Sequence, residues 1–139
     1  MEIKTLPLAD NEQLLATLLE HHSKTHDEDV PPYVPETLSL AAFEHEQFLG
    51  GLTGSIVWNH LHISLLGVDP TIRQGGIGSA LIKAAESSAR EKGCHLMIVE
   101  TMSWQAPRFY EKNGFTLFGK VTGLPNDNQS KLYLVKYLS

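Results

Sequence analysis

Val68-Asp69-Pro70-Thr71-Ile72-Arg73-Gln74-Gly75-Gly76-Ile77-Gly78-Ser79 is the stretch on which the reading of this chain turns. Asp69-Pro70 stops a strand, and beyond the glycines Ile77, Leu81, Ile82 and Ala85 recur at helical spacing. The helix is predicted to run to about Lys92, with Gly93 as its stop. A strand-to-helix junction offers unpaired backbone N–H groups and the positive end of a helix dipole, and glycines let an anion approach the backbone closely. The loop closes Gly76-Ile77-Gly78-Ser79 without the Gly-Lys-Ser/Thr of a nucleotide P-loop. A dinucleotide fingerprint is also disfavoured, because its third glycine would fall on Leu81.

Outward from the loop, His95 to Thr101 contains Leu96-Met97-Ile98-Val99 and reads as a strand buried on both faces. A helical crossover joins it to the strand ending at Val68, so the two are predicted to run parallel. Ser39 to Asp69 is rich in apolar and β-branched residues, with turns near Glu44–Gln47 and Asn59-His60, and reads as three antiparallel strands. Upstream, Glu2 to Leu6 reads as a short strand, and Asp10 as the N-cap of a helix carrying Leu14, Leu15, Leu18 and Leu19. A proline-punctuated acidic loop with one short helix is expected to follow. Downstream, Ala106 to Asn113 reads as a helix closed by Gly114, and Phe115 to Val121 and Lys131 to Leu138 as two last strands. The expectation is an α/β chain, mixed in type, with a mostly antiparallel sheet of about seven strands and four helices.

The length of 139 residues suits one domain spanning 1–139, and 42% hydrophobic with 19% charged residues is the composition of a globular protein. Eleven Lys+Arg against 16 Asp+Glu give a formal charge of −5, which argues against a nucleic-acid partner and tilts towards cationic ligands. Cys94 is the sole cysteine, so an internal disulfide is excluded and a cytoplasmic location is expected. No run reaches the roughly 20 apolar residues of a membrane span. The histidines show no metal-ligand spacing with a carboxylate partner, and no metal is expected.

Arg73-x-x-Gly76-x-Gly78 resembles the R/Q-x-x-G-x-G/A pyrophosphate loop of the GNAT superfamily of acetyl-CoA-dependent N-acetyltransferases, and Leu66-Gly67-Val68-Asp69-Pro70 looks like that family's strand end. Ala106-Pro107-Arg108-Phe109-Tyr110-Glu111-Lys112-Asn113-Gly114-Phe115 is similar to its A-x-x-F/L-Y-E-K-x-G-F segment, in the right order along the chain. The resemblance implies a GNAT-like sheet whose parallel strands splay apart at the cofactor. It further implies that Leu66, Gly67 and Val68 bind the pantetheine arm and polarise the acetyl carbonyl, and that Arg73, Gln74, Gly75, Gly76, Ile77, Gly78 and Ser79 hold the pyrophosphate. Phe109 belongs to the same cofactor wall, and Ser103 stands where many relatives carry a pantetheine-binding Asn. That departure weakens or removes one cofactor contact.

By the same resemblance Tyr110 is the general acid, since a phenol stays protonated at neutral pH and can give its proton to a departing thiolate. For the base, His62 stands where several relatives carry a Glu or His, and histidine changes charge near neutrality; Glu100, at the end of the buried strand, is the second candidate, and a water chain a third. The implied activity is direct transfer of acetyl from acetyl-CoA to a primary amine, small molecule or peptide, with a homodimer compatible with the family. Asp27, Glu28, Asp29 and Asp127 could attract an ammonium group, and Tyr33 and Trp104 could supply apolar or cation–π contact. A silent acyl-CoA-binding regulator and a protein-modifying acetyltransferase are the alternatives.

Overall fold

The computed structural model describes residues 1–26, 29–72 and 75–138, those from 23 to 26 by their backbone alone. It divides into two compact units, Met1–Pro32 and Tyr33–Ser139, and each is described by itself. The first carries α1, Leu8–His26. Its start differs from the expected cap at Asp10, because Pro7 fixes the entry and its carbonyl already accepts the Asn11 N–H at 3.0 Å. Asp10 lies in the first turn instead, where a carboxylate complements the helix dipole. The strand expected over Glu2 to Leu6 does not form, and residues 29–35 contain a turn but no helix. A short apolar alternation becomes a strand only when a neighbour pairs with it, and sequence pattern cannot supply the neighbour.

The second unit is one mixed sheet of β1 (Glu36–Glu44), β2 (Gln47–Val57), β3 (His60–Val68), β4 (Leu96–Met102), β5 (Thr116–Thr122) and β6 (Ser130–Tyr137), with α2 (Ile77–Glu91) and α3 (Pro107–Lys112). The described residues therefore hold six strands and three helices, against the seven and four expected. The strand order is β1-β2-β3-β4-β6-β5, antiparallel except for β3 and β4. The turns before β2 and β3 use left-handed backbone at His45, Glu46 and Trp58. Leu81, Ile82, Ala85 and Ala89 of α2 pack with Leu52, Leu61, Ile63, Met97, Val99 and Leu134 of the sheet to form the core.

Both helices of this unit end in the same way. Gly93 (φ +81) donates to the Arg90 carbonyl while Cys94 N–H donates to that of Ala89, and Gly114 (φ +93) and Phe115 repeat the pattern onto Glu111 and Tyr110. These paired bonds satisfy the last helical carbonyls and need a residue tolerant of positive φ, which explains both glycines.

The parallel pairing of β3 with β4 runs from His60↔Leu96 to Ile63↔Val99 and stops there, although both strands continue. At the same point the β2–β3 register jumps from Gly54↔Ile63 to Thr53↔Leu65, leaving Ser64 as a bulged residue. An extra residue bends the strand that carries it and shifts its side-chain alternation. Leu66 accordingly packs against the core and Leu65 is exposed. The bulge therefore opens the sheet between β3 and β4.

Candidate active site

A cleft of about 400 Å³ occupies that opening, walled by β3 from Ile63 to Val68, by β4 at Val99 to Thr101, by Gly78 of α2 and by Phe109 and Tyr110 of α3. Past Ile63 the β4-side edge of β3 has no strand partner among the described residues, so its polar backbone groups face the cleft. At its α2 end the entry is held by Asp69, whose carboxylate accepts bonds from Thr71 Oγ1 at 2.7 Å and Thr71 N at 2.9 Å. Those two hydrogen bonds hold the Asp69 carboxyl below its ordinary range.

Gly76 caps α2 at φ +87 without any side-chain bond, leaving the first N–H groups of the helix available. A Cβ placed on Gly67, Gly75 or Gly76 would meet nothing within 4 Å, so open space borders the backbone there. A cradle of that kind fits a diphosphate-bearing ligand at the helix end and an amide-bearing arm along β3. Ile77 takes part only through its backbone, its side chain lying in the core. Arg73 and Gln74, expected to hold the pyrophosphate, and Asp27 and Glu28, expected to attract an ammonium group, lie outside the described residues.

Tyr110 sits on the α2 side of the sheet, 8% exposed, its ring edge-on to Phe109 and Phe115 at 5.2 and 5.7 Å. Burial pushes its phenol above the ordinary value, which keeps it a proton donor. Among the described residues its hydroxyl makes no hydrogen bond. On the opposite face, His62 of β3 and Glu100 of β4 are joined through His62 Nε2 and Glu100 Oε2. In the tautomer that donates from Nε2 to the carboxylate, Nδ1 of a neutral ring keeps its lone pair. A second cleft of about 220 Å³ is lined by His62, Met102 and Lys131 and shares Ile63, Ser64, Glu100, Thr101 and Gln105 with the first. The Tyr110 phenol and the His62–Glu100 pair thus stand on opposite faces of the sheet at the opening between β3 and β4.

The two base candidates of the sequence are therefore partners. Ser103 lines neither cleft; its hydroxyl accepts the Ser130 N–H at 3.0 Å. Trp104 is exposed, and Tyr33 stacks edge-on against Trp58 at 5.3 Å. Gln105 and Lys131 were not expected. Gln105 lines both clefts and is held by accepting Met102 N–H at 2.9 Å and Thr101 Oγ1–H at 3.2 Å. Neither carries a local sequence signal, since both reach the clefts through the pairing of distant segments.

The family model described as Acetyltransferase (GNAT) family matches residues 8–115. The chain belongs to the GNAT family of acetyltransferases. Blasticidin-S acetyltransferase of Streptomyces morookaense is 43% identical over 101 residues, 72% of this chain and 74% of that protein. The crystal structure of an acetyltransferase from Bacillus cereus has 33% identity and a TM-score of 0.85, covering 99% of this chain and 98% of that one. A Bacillus anthracis protein described as a streptothricin acetyltransferase, solved with acetyl coenzyme A, has 27% identity and a TM-score of 0.64 over 80% of this chain and 65% of that one. As a GNAT acetyltransferase the chain is an acyltransferase. The mixed sheet with its splayed parallel pair is the expected fold. Among the described residues no helix is long and apolar enough to cross a membrane.

Proposed function

We propose that this acetyltransferase moves acetyl from acetyl-CoA directly to the primary amine of a small molecule or peptide, both bound at once. The observation that carries this reading is the opening between β3 and β4, with Tyr110 on one side and the His62–Glu100 pair on the other. Residues 1–139 serve as one acetyltransferase domain, and its lone buried Cys94 suits a reducing cytoplasm. Acetyl-CoA supplies an activated acyl group and a thiolate leaving group. The first N–H groups of α2 and the glycines at 75, 76 and 78, with Arg73 and Gln74, hold its diphosphate, and the free edge of Leu66 to Val68 holds its arm.

His62 takes the proton of the attacking amine on Nδ1, while Glu100 fixes the ring and balances the imidazolium. The new C–N bond forms as the C–S bond breaks. Backbone N–H groups of Leu66 to Val68 stabilise the carbonyl oxygen as charge develops there. Tyr110 gives its proton to the departing sulfur and regains one from solvent. The 43% identity with blasticidin-S acetyltransferase supports a small-molecule amine.

Calorimetry with acetyl-CoA, followed by a thiol-release screen over primary amines, polyamines and peptides, tests the reading. Binding with turnover on one amine class is expected, and absence of acetyl-CoA binding would overturn it. Gly76→Glu should weaken acetyl-CoA at least tenfold by placing a carboxylate at the helix end, an effect of order 1.4 kcal/mol. Unchanged affinity in that variant would remove the diphosphate from this loop.

A further inference from the structure

Lys131 enters the second cleft from β6, paired in register with Met102 and therefore on the sheet face of Glu100. Its ammonium stands 5.4 Å above the Tyr133 ring centre and 3.7 Å from Glu100 Oε1, while His62 occupies Oε2 of the same carboxylate. The ring and the carboxylate fix the cation, with the side chain only 31% exposed. A charge-assisted bond closes at about 2.7–2.9 Å. At 3.7 Å the Lys131–Glu100 contact is an ion pair that leaves the three N–H donors of the ammonium with capacity to spare. No other lysine and no arginine lines this cleft among the described residues. His62 and Lys131 thus face one another across a single carboxylate.

We propose that Lys131 selects the acceptor, and that the acceptor is an amine carrying an anionic group, carboxylate or phosphate, a few bonds from the reacting nitrogen. This rests on the reading that the amine is acetylated beside His62. An acceptor with only cationic groups would meet repulsion from Lys131 where a zwitterionic one is attracted at its far end. The overall acidity of the chain speaks to encounter, whereas the fixed lysine acts on the bound amine. If Lys131 merely balanced the charge of Glu100, its loss would slow all amines alike; selection for an anion changes the ratio between them.

The test compares 4-aminobutanoate with 4-aminobutanamide, and 3-aminopropyl phosphate with 3-aminopropanol, by kcat/KM of thiol release, in the wild-type chain, K131M and K131E. Acetyl-CoA affinity is measured in parallel. The wild-type enzyme is expected to favour the anionic member of at least one pair by about tenfold, the size of one charge-assisted contact. The pair that responds tells carboxylate from phosphate. The ratio should fall to about one in K131M and invert in K131E. A wild-type ratio near one in both pairs, a preference that survives K131M, or no release from any of the four amines while acetyl-CoA binds would each overturn the assignment. Loss of acetyl-CoA binding in the wild-type chain would overturn the acetyltransferase mechanism itself.

Discussion

Gly78 and Phe109 fill one volume: a Cβ on Gly78 would lie 2.9 Å from Phe109 Cζ and 3.0 Å from Cε1. The ring leans on the first turn of α2 at the point where that turn borders the cleft. Since the same ring packs edge-on against Tyr110, anything that pushes it is felt at Tyr110.

Gly78→Ala tests this contact. Alanine is the better helix former by about 1 kcal/mol, so a substitution in open space would stabilise the chain. Here overpacking should prevail, with a net loss of about 1–2 kcal/mol and weaker acetyl-CoA binding. A second replacement, Phe109→Leu, should restore part of both in the Gly78→Ala background. Thermal melts and calorimetry on the wild type and the two variants decide it, and a more stable single variant would show that the ring yields freely.

Glu86 of α2, Lys136 of β6 and the end of α3 form a second link between α2 and α3. Lys136 Nζ donates to Glu86 Oε1 at 2.6 Å and to the Asn113 carbonyl at 2.9 Å, and its stem covers Gly114. The hydrogen bond from Lys136 holds the Glu86 carboxyl below its usual range, against the desolvation that opposes it, with help from Arg90. A depressed carboxylate confers stability that is full above its unfolded value, near 4.3, and is lost as pH falls through the folded value. Glu86→Gln should therefore cost about 1 kcal/mol at pH 7 and flatten the acid side of the stability curve. Lys136→Met should cost about 2 kcal/mol, because it also strips a donor from Asn113, and should lower kcat more than it raises KM for acetyl-CoA. An acid limb identical in Glu86→Gln and wild type would remove this pair from the account.

The parts of this arrangement that were legible in the sequence are those fixed locally. Gly76, Gly93 and Gly114 each mark a positive φ beside a helix end, and the neighbours of each alone predict a helix boundary or loop. The parallel run of β3 and β4 follows from the helical crossover between them. What escaped was set by pairing across the chain. The Ser64 bulge exists only against β2, Lys131 reaches Glu100 only through the β4–β6 register, and Glu2 to Leu6 found no neighbour to make it a strand. His62 and Glu100 were legible as separate candidates, yet their union required β3 and β4 to be laid side by side.

That union predicts non-additive kinetics. His62→Ala and Glu100→Gln should each lower kcat by roughly 10²-fold, and the double variant should be scarcely slower than His62→Ala, because the carboxylate acts through the ring. A double variant whose losses multiply would mean that the two groups serve separate steps. Circular dichroism should be unchanged in all three, since neither side chain belongs to the core.

Tyr110→Phe separates chemistry from packing. The phenyl ring keeps its edge-on contacts with Phe109 and Phe115, and no protein hydrogen bond to the hydroxyl is lost among the described residues, so stability at pH 7 should move by less than about 0.5 kcal/mol. If the phenol protonates the departing sulfur, kcat should fall by about 10²-fold when chemistry limits the rate. A linked effect appears in alkali. Burial raises the Tyr110 phenol and, likewise, the Cys94 thiol, so the folded chain holds protons that the unfolded chain releases. The stability conferred in this way is full below the unfolded values, near 8.5 for the thiol and 10 for the phenol, and is lost as pH rises through the folded ones. Wild-type melting temperature should consequently drop between pH 9 and 11 more steeply than that of Tyr110→Phe, with the difference confined to pH above about 10. Parallel curves for the two chains would show that the phenol ionises as freely in the fold as outside it, and a full rate in Tyr110→Phe would pass the acid role to solvent.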